Sequence, residues 1–303
     1  MSKKPTVAFL GPLASYSHQA TLDCFPDNQY DLIPQTTIRD VFEAVSSDAV
    51  DHGVVPFENS SNGSVVHTFD LFADRDKKYG AISVAGETFL DVHHCLLGHK
   101  SADAPGGPGI QRIYSHPQAL GQCDIFLSAH HKASERQEVS STSKAAEIVA
   151  ADRSGTLAAI AGRTAAKVYG LDILAENIED RSDNTTRFLI IQKTSGGKPC
   201  ANTLSTISET GKCLVAFTVD HRLPGALADA LMVFKTHKLN LTSINSRPSR
   251  ERLWHYIFFV EFQQSKTQEE EGVVQKAFRE LDKFVESCRL WGCWKQSSDD
   301  SKA

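Results

Sequence analysis

No stretch of the sequence approaches the roughly 20 consecutive apolar residues that cross a bilayer, so no membrane-spanning helix is expected. The opening MSKKPTVAFLG holds only a short apolar run, broken at once by Pro12, Ser15, Tyr16 and His18. It predicts a first strand rather than a signal peptide. The seven cysteines form no CxxC pair, and their odd number without a secretory signal predicts reduced, buried thiols in a cytoplasmic protein. A basic surplus is also missing: 32 Lys and Arg stand against 37 Asp and Glu, which excludes the footprint of a nucleic-acid partner. A small anion remains an open partner, because local donors decide that binding.

Metal chemistry finds no support either. His93-His94 and His130-His131 are adjacent pairs, whose side chains point to opposite faces of a strand, and neither HExxH nor a Cys-His cluster occurs. Gly11 begins no GxGxxG, and there is no Walker sequence and no GxSxG elbow. The expectation is a reaction without metal or cofactor.

What is present is an alternation of short apolar runs with helix-period stretches, in a chain of 303 residues that is long enough for two or more domains. Strands are predicted at Thr6 to Leu10, Gly53 to Phe57, Ile82 to Phe89, His93 to Leu97, Arg112 to Tyr114, Thr156 to Ile160 and Arg187 to Ile191. Helices are predicted at His18 to Phe25, from Thr37 as a cap with Asp40 three residues on, and at Ser64 to Phe72, Pro117 to Leu127 and Lys144 to Ala151. A last one, Arg163 to Tyr169, is stopped by Gly170. This is an α/β pattern with open, mostly parallel sheets, whose sites lie beyond the carboxyl ends of strands. Ala102 to Gly109 reads as a surface turn, and the Ser/Thr/Gly/Lys-rich stretch near Gly196 to Pro199 as a linker. After it the order changes to strand Cys213 to Val219, helix Gly225 to Thr236, strands Leu241 to Asn245 and Trp254 to Phe262, helix Gly272 to Val285 and strand Cys288 to Trp294. That order is βαββαβ, the ferredoxin-like arrangement. The polar tail is expected to fray.

Candidate site residues recur where a strand ends and a helix begins. Ser15, Asn59 with Ser60, Ser115 with His116, and Ser141 all stand at such junctions, where a side chain caps the helix and free backbone N–H groups face an anion. Each also has a purely structural reading as a cap. Asn184-Thr185-Thr186-Arg187-Phe188 sets an amide, two hydroxyls and a guanidinium before a buried strand. Arg187 there has the fork geometry for a carboxylate. Thr186 donates a proton only if transfer is concerted with departure of a leaving group and donors stabilise the developing charge. A cap plus a surface salt bridge is the alternative.

Taken together, Gly11 to His18, Val55 to Gly63, Tyr114 to Leu120, Asp183 to Phe188, Gly225-Ala226-Leu227 and Asn245-Ser246-Arg247-Pro248 resemble the prephenate dehydratase family over nearly the whole chain. The resemblance implies a two-lobed catalytic region, residues 1–195, like a type II periplasmic binding protein. Its lobes would be about 1–80 plus 180–195, and 85–178. A lead-in at 196–211, a C-terminal ACT domain at 212–296 and a frayed 297–303 would follow. It implies decarboxylating dehydration of prephenate to phenylpyruvate, with Thr186 as acid and Arg187 as carboxylate anchor. Ser15, Asn59, Ser60, Ser115 and Phe188 would contact substrate, and Glu58, His116, Asn184 and Thr185 would orient donors. L-Phenylalanine would bind at a subunit interface through Gly225, Ala226, Leu227, Asn245, Ser246, Arg247 and Pro248 and inhibit, which requires a dimer or tetramer. Asn245 stands where the family commonly has Glu, so a charge is missing from the effector motif.

Two rivals share these features. Arogenate dehydration involves the same leaving group and ring carboxylate, and the absence of a plastid-like leader favours prephenate. A non-catalytic small-anion binding or sensor protein would share the hinged cleft, and the Thr186-Arg187-Phe188 run speaks against it. With the first strand at Thr6, no chorismate mutase module is expected ahead of it.

Overall fold

The computed structural model describes residues 3–100, 109–194, 211–263 and 272–295. The expected turn at 102–109 lies almost wholly outside them, as do the linker and the tail. Among the described residues no helix is long and apolar enough to cross a membrane.

The first lobe is built from β1 (Thr6–Leu10), α1 (Tyr16–Cys24), β2 (Asp31–Gln35), α2 (Ile38–Ser46), β3 (His52–Asn59), β4 (Gly63–Ser64), α3 (Val66–Phe72) and β5 (Ile82–Asp91). Thr37 and Asp40 close the capping box that the sequence shows, and Val41, Phe42 and Val45 bury the inner face of α2. The chain then enters the second lobe with β6 (Cys95–Gly98), β7 (Arg112–Ser115), α4 (Pro117–Gln122) and α5 (Asp124–His130). It continues through β8 (Glu135–Glu138), α6 (Thr142–Ala151), β9 (Leu157–Ala161), α7 (Arg163–Tyr169) and β10 (Asp172–Ala175), and returns to the first lobe as β11 (Thr185–Lys193).

The sheets run β2-β1-β3-β11-β5, with β4 off β3, and β10-β6-β9-β7-β8. They are mixed rather than mostly parallel: β11 is antiparallel to both β3 and β5, and β6 to both β10 and β9. The reason is topological, since a strand that returns from the other lobe meets its neighbours head to tail. Strand β5 pairs with β11 along its length, so the first lobe extends to Asp91 and the expected boundary at 85 would cut a strand. Four strands were not expected, among them the two-residue β4. β2 carries Pro34, which is tolerated because β2 is an edge; β8, Glu-Arg-Gln-Glu, is exposed throughout; β10 is short. The single helix expected over 117–127 is broken at Cys123, which leaves helical geometry and sits fully buried.

The C-terminal domain is β12 (Gly211–Thr218), α8 (Ala226–Thr236), β13 (Asn240–Pro248), β14 (Tyr256–Gln263), α9 (Val273–Leu281) and β15 (Ser287–Lys295), in sheet order β13-β14-β12-β15. Alternation along the strands separates two faces. Cys213, Val215, Phe217, Val260 and Phe262 pack on the two helices. Leu214, Ala216, Phe259, Trp291 and Trp294 instead join the core of the first lobe with Val84, Leu189 and Ile191. Each such large side chain contributes ~1.5–3 kcal/mol when fully taken from water, so the two domains share a core and are not merely tethered. Their backbones also come close: a Cβ on Gly292 would stand 2.2 Å from the Val84 carbonyl oxygen.

The cysteine expectation needs correction. Cys213 and Cys293 face each other across β12 and β15 and form a disulfide, Cα–Cα 4.1 Å, although they lie 80 residues apart. Sheet register, invisible in the spacing, brings them together. Among the described residues Cys24, Cys95 and Cys123 are free thiols.

Candidate active site

A cavity of about 630 Å³ opens where the two lobes and the crossing strands meet. β3 delivers Asn59 and β11 delivers Thr186 to its wall, because the two residues are direct partners across the antiparallel pair. Asn59 Oδ1 accepts from the backbone N–H groups of Ser61 and Asn62, each at 3.0 Å, which fixes that atom as the oxygen. Its Nδ2 therefore points the other way and donates to Asn184 Oδ1 at 2.7 Å and to Thr186 Oγ1 at 2.9 Å. With Thr186 Oγ1 already accepting, its own proton is free for a cavity guest. A hydroxyl held beside a pre-aimed amide donor is an arrangement that lowers the cost of negative charge on that oxygen.

The opposite wall comes from the second lobe together with Tyr16 of α1. His94 is buried; its Nδ1 lies 2.6 Å from the Tyr16 hydroxyl and its Nε2 2.8 Å from Gln122 Oε1. Burial pushes the His94 imidazole down, against smaller upward effects of Gln122 and Glu179, and burial pushes the Tyr16 phenol well up. Both groups are thus held neutral around pH 7, as donors and acceptors without net charge. Behind them Glu179 accepts from the His94 N–H and pairs with His93 Nδ1, each at 2.8 Å. Ser141, which caps α6 by accepting from Lys144 N, lies at the cavity with Thr142, so that ten-residue helix turns its N-terminus towards the guest. Gln118 and Gln122, one helical turn apart on α4, complete this side. Tyr16, His94, Gln118 and Gln122 went unread in the sequence. The four-residue spacing of the glutamines after Pro117 was the available signal.

Asn59, His116, Asn184 and Thr186 are thus brought together at the cavity. His116 caps α4 by accepting from Gln118 N. Other candidates are placed elsewhere. Ser15 caps α1 and donates to Leu10 O. Ser60 is an exposed clip that donates to Asp183 O and accepts from Thr185 N, while Thr185 donates to Asp91. Ser115 is fully buried, donating to Ile160 O, and Phe188 is buried in the first-lobe core with Val7 and Phe9.

Arg187 requires the main correction. Expected to anchor a substrate carboxylate, it turns away from the cavity and is buried against the C-terminal domain. Its Nε donates to Glu87 Oε2 at 2.7 Å and its two terminal nitrogens to Glu261 at 3.0 and 2.5 Å. Burial alone would push this guanidinium down, but Glu261 and Glu87 outweigh it and raise its pKa. Glu58 is half-exposed and lies 4.0 Å from Arg187 rather than at the cavity.

In the C-terminal domain, Gly225 takes the left-handed conformation (φ 87°) that starts α8; Ala226 is buried and Leu227 partly so. On β13, Asn245 accepts from Ser64 Oγ at 2.7 Å, and Ser64 is itself a cavity residue. Arg247 holds Asp70 through bonds of 2.8 and 3.1 Å, and the Pro248 carbonyl accepts from Arg75. Ser246, of opposite parity, is exposed.

Residues 7–196 match the profile of the prephenate dehydratase family. The chain belongs to that family. It is 39% identical over 298 residues to the bifunctional chorismate mutase/prephenate dehydratase of Aquifex aeolicus, covering 97% of this chain and 74% of that protein. A prephenate dehydratase of Methanocaldococcus jannaschii is 38% identical over 268 residues, 88% of this chain and 90% of that one. In structure the chain is similar to the prephenate dehydratase of Arthrobacter aurescens in complex with L-Phe, with TM-score 0.79, 26% identity and coverage of 96% and 90%. The protein therefore joins a periplasmic-binding-protein-like prephenate dehydratase region to an ACT-like domain. The activity is prephenate dehydration in aromatic amino-acid biosynthesis, and the added domain suggests allosteric control.

Proposed function

We propose that Thr186 is the acid that expels water from prephenate. The ring carboxylate leaves as CO2, its bonding electrons pass through the diene, and the 4-hydroxyl departs with a proton as the ring becomes aromatic. Phenylpyruvate, CO2 and water result, with no change in redox state. The protein's work is to hold two carboxylates and supply one proton. The observation that carries the reading is the Asn59 Nδ2 to Thr186 Oγ1 bond at the interlobe cavity, which supports an alkoxide-like oxygen as the proton leaves. The solvent then reprotonates Thr186.

For the anions, the α6 N-terminus with Ser141 and Thr142 and the Gln118 amide stand in place of Arg187. Neutral His94 orients Tyr16. Asn184 fixes Asn59, and His116 presents the α4 N-terminus. Control by L-phenylalanine rests on Gly225, Ala226 and Leu227 with the Asn245-Ser246-Arg247-Pro248 strand, between copies of the chain. The exposed Leu241 and Ile244 on the edge strand β13 support such pairing.

The test is product formation from prephenate and arogenate in parallel, with and without L-phenylalanine, for the wild type and Thr186→Ala. The expected result is phenylpyruvate suppressed by phenylalanine, and a Thr186→Ala protein that binds substrate but turns over at least about 10²-fold more slowly. Full turnover by Thr186→Ala would remove Thr186 from proton transfer.

A further inference from the structure

Four buried charged groups meet between the domains, and each domain supplies one of each sign. Glu87 on β5 and Arg187 on β11 come from the first lobe; Lys212 on β12 and Glu261 on β14 come from the C-terminal domain. The bonds cross the junction: Arg187 to Glu261 at 3.0 and 2.5 Å, and Lys212 Nζ to Glu87 Oε2 at 3.3 Å. Arg187 to Glu87 at 2.7 Å joins the two pairs. The cluster is neutral in sum and less than a tenth exposed at every member.

Its position matters more than its energy. Arg187 directly follows Thr186 on β11, and consecutive strand residues face opposite sides. One side of the same two residues meets the cavity and the other is clamped by a carboxylate of the other domain. A planar guanidinium held by a two-point bond to Glu261 and a third bond to Glu87 fixes both the position and the twist of the strand at that residue. The register of β11 against β3, the strand that carries Asn59, shifts between Arg187 and Phe188, while its pairing with β5 runs on unbroken there. The clamp adds a constraint next to that shift.

We infer that Glu261 is a positioning residue for the dehydration: through Arg187 it sets the placement of Thr186 against Asn59, and a change in the C-terminal domain reaches the reacting atoms by this route. The inference rests on the reading of Thr186 as the acid. It concerns Glu261 and Lys212, which lie outside the cavity and touch no substrate.

The experiment compares the full-length wild type with Glu261→Gln, Lys212→Gln and Arg289→Leu. Arg289 also spans the domains, bonding Asp74 at 2.7 Å and the Tyr79 carbonyl at 2.7 Å, and is not one of the four clustered groups. For each protein, kcat and KM for prephenate, inhibition by L-phenylalanine and thermal melting are measured. Misplacement of an acid acts on turnover more than on binding, so Glu261→Gln is expected to lower kcat by about tenfold or more with KM changed less than about twofold. It is also expected to blunt inhibition by L-phenylalanine. Lys212→Gln, which loosens only the outer corner, is expected to lower kcat less and in the same sense, and it serves alone if Glu261→Gln does not fold. Arg289→Leu is expected to melt earlier while each folded molecule keeps its kcat. A wild-type kcat in the folded Glu261 or Lys212 variant overturns the inference, as does an equal loss in Arg289→Leu. Failure of the acid itself is read separately from Thr186→Ala: if that variant turns over normally the acid reading falls, whereas a dead Thr186→Ala beside a normal Glu261→Gln removes only the clamp.

Discussion

Replacing Arg187 by Met separates two accounts of this residue. If the guanidinium anchors a substrate carboxylate, its loss raises KM and leaves the fold intact. Its position dictates the reverse. Arg187 is 8% exposed and is the partner that Glu87 and Glu261 share, so Met leaves Glu87 with Lys212 and takes from the buried Glu261 the guanidinium that holds it. Removing one partner of a buried pair costs about 3–5 kcal/mol, mostly the penalty of the charge left behind. At roughly 2–4 °C per kcal/mol for a chain somewhat shorter than this one, the melting temperature should fall by about 6–20 °C. The matched change Arg187→Met with Glu261→Met removes one charge of each sign and leaves Glu87 with Lys212. Apolar replacement of a whole pair is often neutral or better, so the double variant should recover most of the loss. Thermal and urea unfolding measure both variants, and steady-state kinetics on prephenate give KM. A destabilisation below about 1 kcal/mol together with a KM raised tenfold or more would refute the placement of Arg187 and return it to the substrate.

Three further outcomes follow from the geometry. Asn59→Ala removes the donor at Thr186 Oγ1, and loss of one such donor lowers kcat by about 10²–10³-fold with a smaller effect on KM; a kcat within threefold of wild type would dissociate Asn59 from the chemistry. Gly292→Ala forces a Cβ to within 2.2 Å of the Val84 carbonyl and should destabilise the domain junction by at least ~1–3 kcal/mol in urea unfolding; an unchanged midpoint would mean that the domains do not dock through this strand. Burial pushes the Asp70 carboxyl up, but Arg247 and Arg75 outweigh it and hold the group below its ordinary range. A depressed carboxylate contributes its stability above the unfolded value, near pH ~4, and loses it as the pH falls through the folded value. The stability difference between wild type and Asp70→Asn should therefore be constant from neutrality to about pH 4 and shrink below it; a difference that grows on acidification has the wrong sign.

Local pattern made much of the architecture legible. The capping box at Thr37 and Asp40, the left-handed Gly170 that stops α7, and the βαββαβ order of the C-terminal domain are all properties of neighbours in the chain. β2 and β8 escaped for local reasons as well, since Pro34 and a wholly charged or amide tetrapeptide erase the strand signal at sheet edges. In the cavity, Asn59, Asn184 and Thr186 stood out because they fall where strands end or begin. Tyr16, His94 and Gln122 lie far apart in the chain and become one network only when α1, the residue just before β6 and α4 converge.

By itself, then, the sequence determined the family and most of the element order, because periodicity, caps and motif order are carried by residues close together. Only the tertiary structure decided what stands on the other side of β11. Strand parity puts Thr186 and Arg187 on opposite faces, but no local rule says which surface covers the second face. The folded chain covers it with the C-terminal sheet and sets Glu261 opposite the guanidinium. That is why Arg187, chemically suited to a substrate carboxylate, binds a carboxylate of the protein instead.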